Sequence, residues 1–200
     1  MIVKVRQEDS LFTLRGKARY VWLWNCMDAD TRFLIANQVT TKRGLKEARN
    51  LFRNAKNVSG KKPSFIVTDK LQAYKKGIRK ELGWRKDAPI HVSDVGISYI
   101  VSNNLVERLN STVRQREKVM RGMQKVDTSD SLMGGYRVHY NFVRQHMALD
   151  GKTPAQEAKI DLELGDNKWL GLIKKSVENN PSTAQSTHTG QQSLNGWCQP

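Results

Sequence analysis

The spacing of hydrophobic and polar positions changes period repeatedly along this chain. Met1 to Val5 alternates apolar and polar, and Tyr20-Val21-Trp22-Leu23-Trp24 is aromatic and β-branched. Arg32-Phe33-Leu34-Ile35-Ala36 continues in the same style after the turn-like Asp28-Ala29-Asp30-Thr31. These segments predict three antiparallel strands joined by short connections, with Gly16 in the first. From Lys42 to Lys56 the period becomes helical: Leu45, Ala48, Leu51, Phe52 and Ala55 recur on one face, with Lys and Arg on the other. Pro63 to Thr68 reads as a short strand ending at Asp69, too continuously apolar for an exposed edge. A helix from Leu71 to Leu82 follows, stopped by Gly83, and Ile90-His91-Val92 makes a short fifth strand. Ser102-Asn103 opens a helix that buries Leu105, Leu109 and Val113 on one stripe, with Val106 beside it. Another helix is expected from about Ser131 to His146, and a short one begins with Thr153 as cap and Pro154 at its first position. The order β-β-β-α-β-α-β-α, then helices, predicts an α/β fold: a five-stranded mixed sheet with helices on both faces.

Charge narrows the partner. The 200 residues carry a formal net charge of +15, with 34 Lys and Arg against 19 Asp and Glu. Lys and Arg are spread through most of the chain, which favours a folded nucleic-acid-binding surface over a basic arm. No stretch approaches the ~20 apolar residues of a membrane span, and the N-terminus lacks a signal-peptide core, so a cytoplasmic protein with no membrane partner is expected. Cys26 and Cys198 have no metal-ligand spacing, and Cys26 reads as a small core residue. Residues 179–200 hold no Asp, Glu, Lys or Arg and read as a disordered polar tail.

Two carboxylates stand out by position. Glu107 lies on a helix that is otherwise basic, with Arg108, Arg114, Arg116, Lys118 and Arg121. An acid there repels phosphate unless it holds a divalent cation against it. Periodicity alone favours the plainer account of Glu107, a surface ion pair worth ~0.3–0.5 kcal/mol. Asp69 sits at the carboxyl end of a buried-type strand, where α/β sheets place their sites; its other reading is a cap for the next helix. A helix, a strand and a loop separate the two, enough chain to bring both carboxylates to one end of the sheet. Such a pair suits Mg²⁺ or Mn²⁺, and two such ions ~3.5–4 Å apart can drive phosphoryl transfer. The arginines and Lys118 would contact phosphates with little sequence specificity. His91 is either a core histidine or a site-edge contact. His139 and His146 are seven apart on a helix, with no Cys or carboxylate cluster to make a zinc site. Trp22 and Trp24 share a strand face and read as core; Trp84 either touches DNA or packs over a helix end.

Several of these segments together resemble the catalytic core of a prokaryotic insertion-sequence transposase of the D-D-E type, the integrase-like ribonuclease H fold. Tyr20 to Leu34 is similar to that family's second and third strands. Thr68-Asp69 with Ala73-Tyr74 matches the surroundings of its second catalytic acid. Asn104-Leu105-Val106-Glu107-Arg108, with Arg116-Glu117-Lys118 and Arg121-Gly122, is similar to the segment bearing its final glutamate. Tyr140 to His146 and Leu149 to Ala155 resemble the end of the core. The resemblance implies a catalytic core over residues 1–160, a helical extension over 161–178 and the polar tail over 179–200. It implies cleavage of transposon ends and strand transfer into target DNA by a nucleoid-associated homo-oligomer. In the intact site, Asp69, Glu107 and a first aspartate would hold two Mg²⁺ ions.

In one respect the chain departs from the family. The first acid belongs to an Asp-Glu pair just ahead of an apolar run such as Met1 to Val5, and the expected helix-turn-helix lies further upstream. The simplest account is an N-terminally truncated product. Asp28 and Asp30 read as turn residues, and Asp9, beside Glu8, as part of a polar hairpin connection. The alternative function is therefore a catalytically dead fragment that keeps only nucleic-acid binding.

Overall fold

The computed structural model describes residues 1–14, 17–83, 86, 88–93, 104–119 and 125–179, with backbone only at 6–14, 17–20, 117 and 118. Five strands, β1 (Ile2–Leu14), β2 (Lys17–Asp28), β3 (Leu34–Thr40), β4 (Phe65–Thr68) and β5 (Ile90–Ser93), form one sheet in the order β3-β2-β1-β4-β5. β1–β2 and β2–β3 are antiparallel, while β1–β4 and β4–β5 are parallel. The mixed sheet expected from the sequence is thus present. β1 runs well beyond Val5: the polar stretch Arg6 to Ser10 pairs residue for residue with Asn25 to Val21 of β2. The β-forming residues of the partner strand carry that polar stretch in the ladder. Glu8 and Asp9 therefore lie inside β1, not in a connection.

Helices α1 (Leu45–Ser59) and α2 (Gln72–Leu82) cover one face of the sheet. Ala48, Leu51, Phe52, Tyr74, Ile78 and Leu82 pack there against Val3, Val5, Trp24, Cys26 and Ile66. Burial of such side chains contributes ~1.5–3 kcal/mol each. The two helices meet at Gly77, where an added Cβ would stand 3.3 Å from Ala48 Cβ and from the Phe52 ring. Trp24 is fully buried, edge-on to Tyr74, and its indole N–H donates to Thr40 Oγ1 at 2.8 Å. Cys26 is buried beside it; burial, then the charge of Asp28, pushes its thiol up to about 12, which leaves it unreactive at neutral pH.

The opposite face carries α3 (Asn104–Val119) and α4 (Val126–Val138) over two smaller clusters. One contains Met27, Leu34, Val106, Leu109 and Tyr140; the other contains Val21, Leu23, Val39, Val113 and Met133. α4 begins earlier than Ser131 and does not run straight to His146. After Val138 the chain makes a π turn, His139–Val143. Within it, Asn141 accepts from the Leu34 N–H at 2.8 Å and donates to the Leu34 carbonyl at 3.0 Å. The last helix of this unit, α5 (Pro154–Glu157), has the expected start: Thr153 Oγ1 accepts from the Gln156 N–H, and Gln156 Oε1 accepts from the Thr153 N–H.

The chain divides into two compact units, Met1–Lys159 and Ile160–Pro200. In the second, α6 (Lys168–Glu178) is capped by Asn167, whose side chain accepts the Leu170 N–H at 3.1 Å. The polar tail beyond Asn179 lies outside the described residues, as do Trp84 and the Ser102-Asn103 opening of α3. Among the described residues, no helix is long and apolar enough to cross a membrane.

Candidate functional site

Ile66, Val67 and Thr68 are buried because β4 lies between β1 and β5. Asp69, directly after the strand, is the first side chain to emerge at its carboxyl end and is half-buried. Asp69 Oδ1 accepts the Leu71 N–H at 3.0 Å and so shapes the turn into α2, where Leu71 offers no side-chain cap of its own. The helix-entry reading of Asp69 therefore holds, and it engages one carboxylate oxygen. Thr68 Oγ1 lies 2.8 Å from His91 Nε2 of β5 and donates to the Asp69 carbonyl at 3.0 Å. His91 is thus an edge contact of this turn. Its burial, then the charge of Lys75, holds its pKa below the ordinary 6.5, which favours the neutral ring.

Glu107 is placed by the buried stripe of α3: Val106, Leu109, Asn110 and Val113 face the sheet. Asn110 fixes the height of the helix, because its Oδ1 accepts from Asn25 Nδ2 of β2 at 2.6 Å. Asn25 pairs with Arg6 of β1. The β1–β4 register sets Val5 beside Thr68, the residue before Asp69. Glu107 precedes Asn110 by three residues, on the same side of the helix and ~4.5 Å along its axis. Asp69 thus follows a strand paired with β1, and Glu107 lies on the helix bonded to β2, the other neighbour of β1. Arg108, Arg114 and Arg116 are exposed on α3. Only the backbone of Lys118 is described, and Arg121 lies outside the described residues.

Met1 sits beside the start of β4, where its carbonyl accepts the Ser64 N–H at 3.2 Å. Asp28, for its part, makes the β2–β3 turn, its Oδ2 accepting from Thr31 Oγ1 at 2.6 Å. Among the described residues, no group of three or more His, Cys, Asp and Glu could hold a metal ion. Two carboxylates are nevertheless a sufficient protein donor set for one Mg²⁺, which keeps its water and takes further ligands from substrate phosphates.

Asn25 and Asn110 escaped the sequence reading. Both are almost fully buried, and Asn25 Oδ1 and Asn110 Nδ2 have no hydrogen-bond partner among the described residues. The available signal was an amide inside the aromatic run of β2, and a second three residues after Glu107 on the apolar stripe of α3.

The strand order, the two-sided helical cover and an acid at the end of β4 define a ribonuclease H-like fold of the integrase-core type. The chain belongs to the DDE domain family, which it matches over residues 3–146, and is a DDE-type transposase/integrase core domain. Comparison with curated proteins returned no match. Among solved structures, the HTLV-2 integrase catalytic core domain in complex with magnesium is similar in its dimeric form, at 15% identity and TM-score 0.52 over 76% of this chain and 93% of that one. Its trimeric form matches to the same degree. A chain of the simian T-cell lymphotropic virus intasome in complex with PP2A regulatory subunit B56 gamma is 17% identical, with TM-score 0.52 over 76% of this chain. This chain spans 52% of that protein's length.

Proposed function

We propose that this chain is the catalytic core of a DNA transposase that cleaves transposon ends and joins them to target DNA by metal-dependent phosphoryl transfer. The observation that supports this most is the match to the DDE domain family over residues 3–146, with Asp69 at the carboxyl end of β4 and Glu107 on the helix bonded to β2. Asp69 and Glu107 would hold a divalent cation, Mg²⁺ or Mn²⁺, which when bound activates a water or 3′-hydroxyl and neutralises charge at the scissile phosphate. Arg108, Arg114 and Arg116 would hold the DNA backbone beside it. The turn after β4, tied by Thr68 and His91, keeps the Asp69 carboxylate in place before substrate arrives. Transposition joins two ends to a target, so a homo-oligomer on DNA is part of the proposal; the similar HTLV-2 core is known in dimeric and trimeric forms. Action in the cytoplasm, at the nucleoid, belongs to the same reading.

The second reading, a DNA-binding fragment without catalysis, is favoured by one finding: among the described residues, no group of three or more His, Cys, Asp and Glu could hold a metal ion. One set of measurements separates them. Under the first reading the chain performs Mg²⁺-dependent strand transfer, and Asp69→Asn or Glu107→Gln lowers it at least ~10³-fold while DNA affinity stays within about twofold. Undiminished transfer in either variant would remove that residue from the site. No transfer by the unaltered chain, with DNA binding intact, would establish the fragment reading.

A further inference from the structure

Much of the charge of this protein lies off α3. Lys42 to Gly83 holds 13 Lys and Arg against three Asp and Glu, a net +10 of the +15 carried by the whole chain. This segment builds α1, β4 and α2, and its two helices lie on the sheet face opposite α3. Its cations point outward: Lys46, Arg53 and Lys56 of α1, and Lys75, Lys76 and Lys80 of α2, are exposed, and Arg49 is partly so. Lys46, Arg49, Arg53 and Lys56 follow one another at three- and four-residue steps, a stripe ~15 Å long with a charge at each turn. The two glutamates of the layer offset it only in part. Glu47 Oε2 accepts the Gly44 N–H at the start of α1. Glu81 accepts from Arg49 Nε at 2.6 Å and from Arg53 Nη2 at 3.1 Å, fixing the two arginines as a pair between the helices.

Like charges at this spacing destabilise a helix by a few tenths of a kcal/mol per pair. Solubility alone is served by mixed signs, with no need for a single-sign field. Such a field is what a polyphosphate partner requires. Duplex DNA presents one charge per ~1.7 Å of axis, dense enough to meet every cation of the stripe.

We propose that the outer surface of the α1–α2 layer binds a second DNA duplex through its phosphates, independently of the duplex held along α3. The sheet separates the two surfaces, so one straight duplex does not reach both. The role of the second duplex, as target or as the other transposon end, rests on the transposase reading; its binding does not.

The test uses the full 200-residue chain and a short random-sequence DNA duplex. Two duplexes bind per chain, and the quadruple variant Lys46→Gln, Lys56→Gln, Lys76→Gln, Lys80→Gln binds one. The salt slope of the lost site corresponds to about 3–4 phosphate contacts. Arg108→Gln with Arg114→Gln removes the other duplex and leaves the lysine-dependent one. Acetylation of the unaltered protein gives a reading free of any folding effect: saturating duplex DNA protects Lys46, Lys56, Lys76 and Lys80. Equal acetylation with and without DNA overturns the proposal, as does protection by an RNA hairpin but not by duplex DNA. If strand transfer is absent while the lysine footprint is present, the transposase reading fails and this one stands.

Discussion

The two faces of the sheet are built on different terms. Under α1 and α2, Trp24, Phe52, Tyr74 and Ile66 merge into one apolar cluster, with aromatic edges packed on faces. Under α3 and α4 the apolar contacts fall into two smaller clusters, and amides do part of the fastening: Asn25 to Asn110, and Asn141 to both backbone groups of Leu34. An apolar contact is non-directional and tolerates sliding, whereas a buried amide pair fixes one register, because a missed bond leaves polar atoms stranded. The face that carries Glu107 is the one fastened directionally. The other is free to maximise burial and to present charge outside.

This contrast can be broken at several points. The largest effect is expected at Trp24, where truncation to Ala removes a fully buried ring and its bond to Thr40: urea unfolding should show ~3–5 kcal/mol lost, with m unchanged. A loss below about 1 kcal/mol would mean that the α1–α2 face is not the main source of stability. Next come the amides. Asn25→Leu or Asn110→Leu alone strands the remaining partner and should cost ~1–3 kcal/mol, while the double variant should recover much of that. Additive losses in the double-mutant cycle would show the pair to be two independent residues. The smallest effect concerns His91. Its folded pKa lies below 6.5, so its contribution to stability is complete above pH 6.5 and is lost as pH falls through the folded value. Thermal unfolding of His91→Gln should therefore be flatter between pH 7 and pH 5 than that of the unaltered chain; parallel curves would place the titrating group elsewhere.

Much was legible in the chain itself. Alternation and helical spacing gave the five strands, α1, α2 and the cap at Thr153, because these elements bury side chains at the period of their own backbone. Asp69 and Glu107 could be named as a pair because one ends an apolar strand and the other interrupts a basic helix. The length of β1 was hidden, since Arg6 to Ser10 has no apolar period and is held in the sheet by its partner. The π turn was hidden too, because Asn141 bonds to Leu34, far away in sequence.

The sequence by itself determined the fold class, the two acids and a basic surface, all properties of local pattern and composition. Only the tertiary structure decided which residues share a level: Arg6 beside Asn25, Asn25 beneath Asn110, and the cations of α1 and α2 on the face away from α3. Register and layer order come from long-range pairing, where a single step moves every side chain to the opposite face, and no local period records that choice.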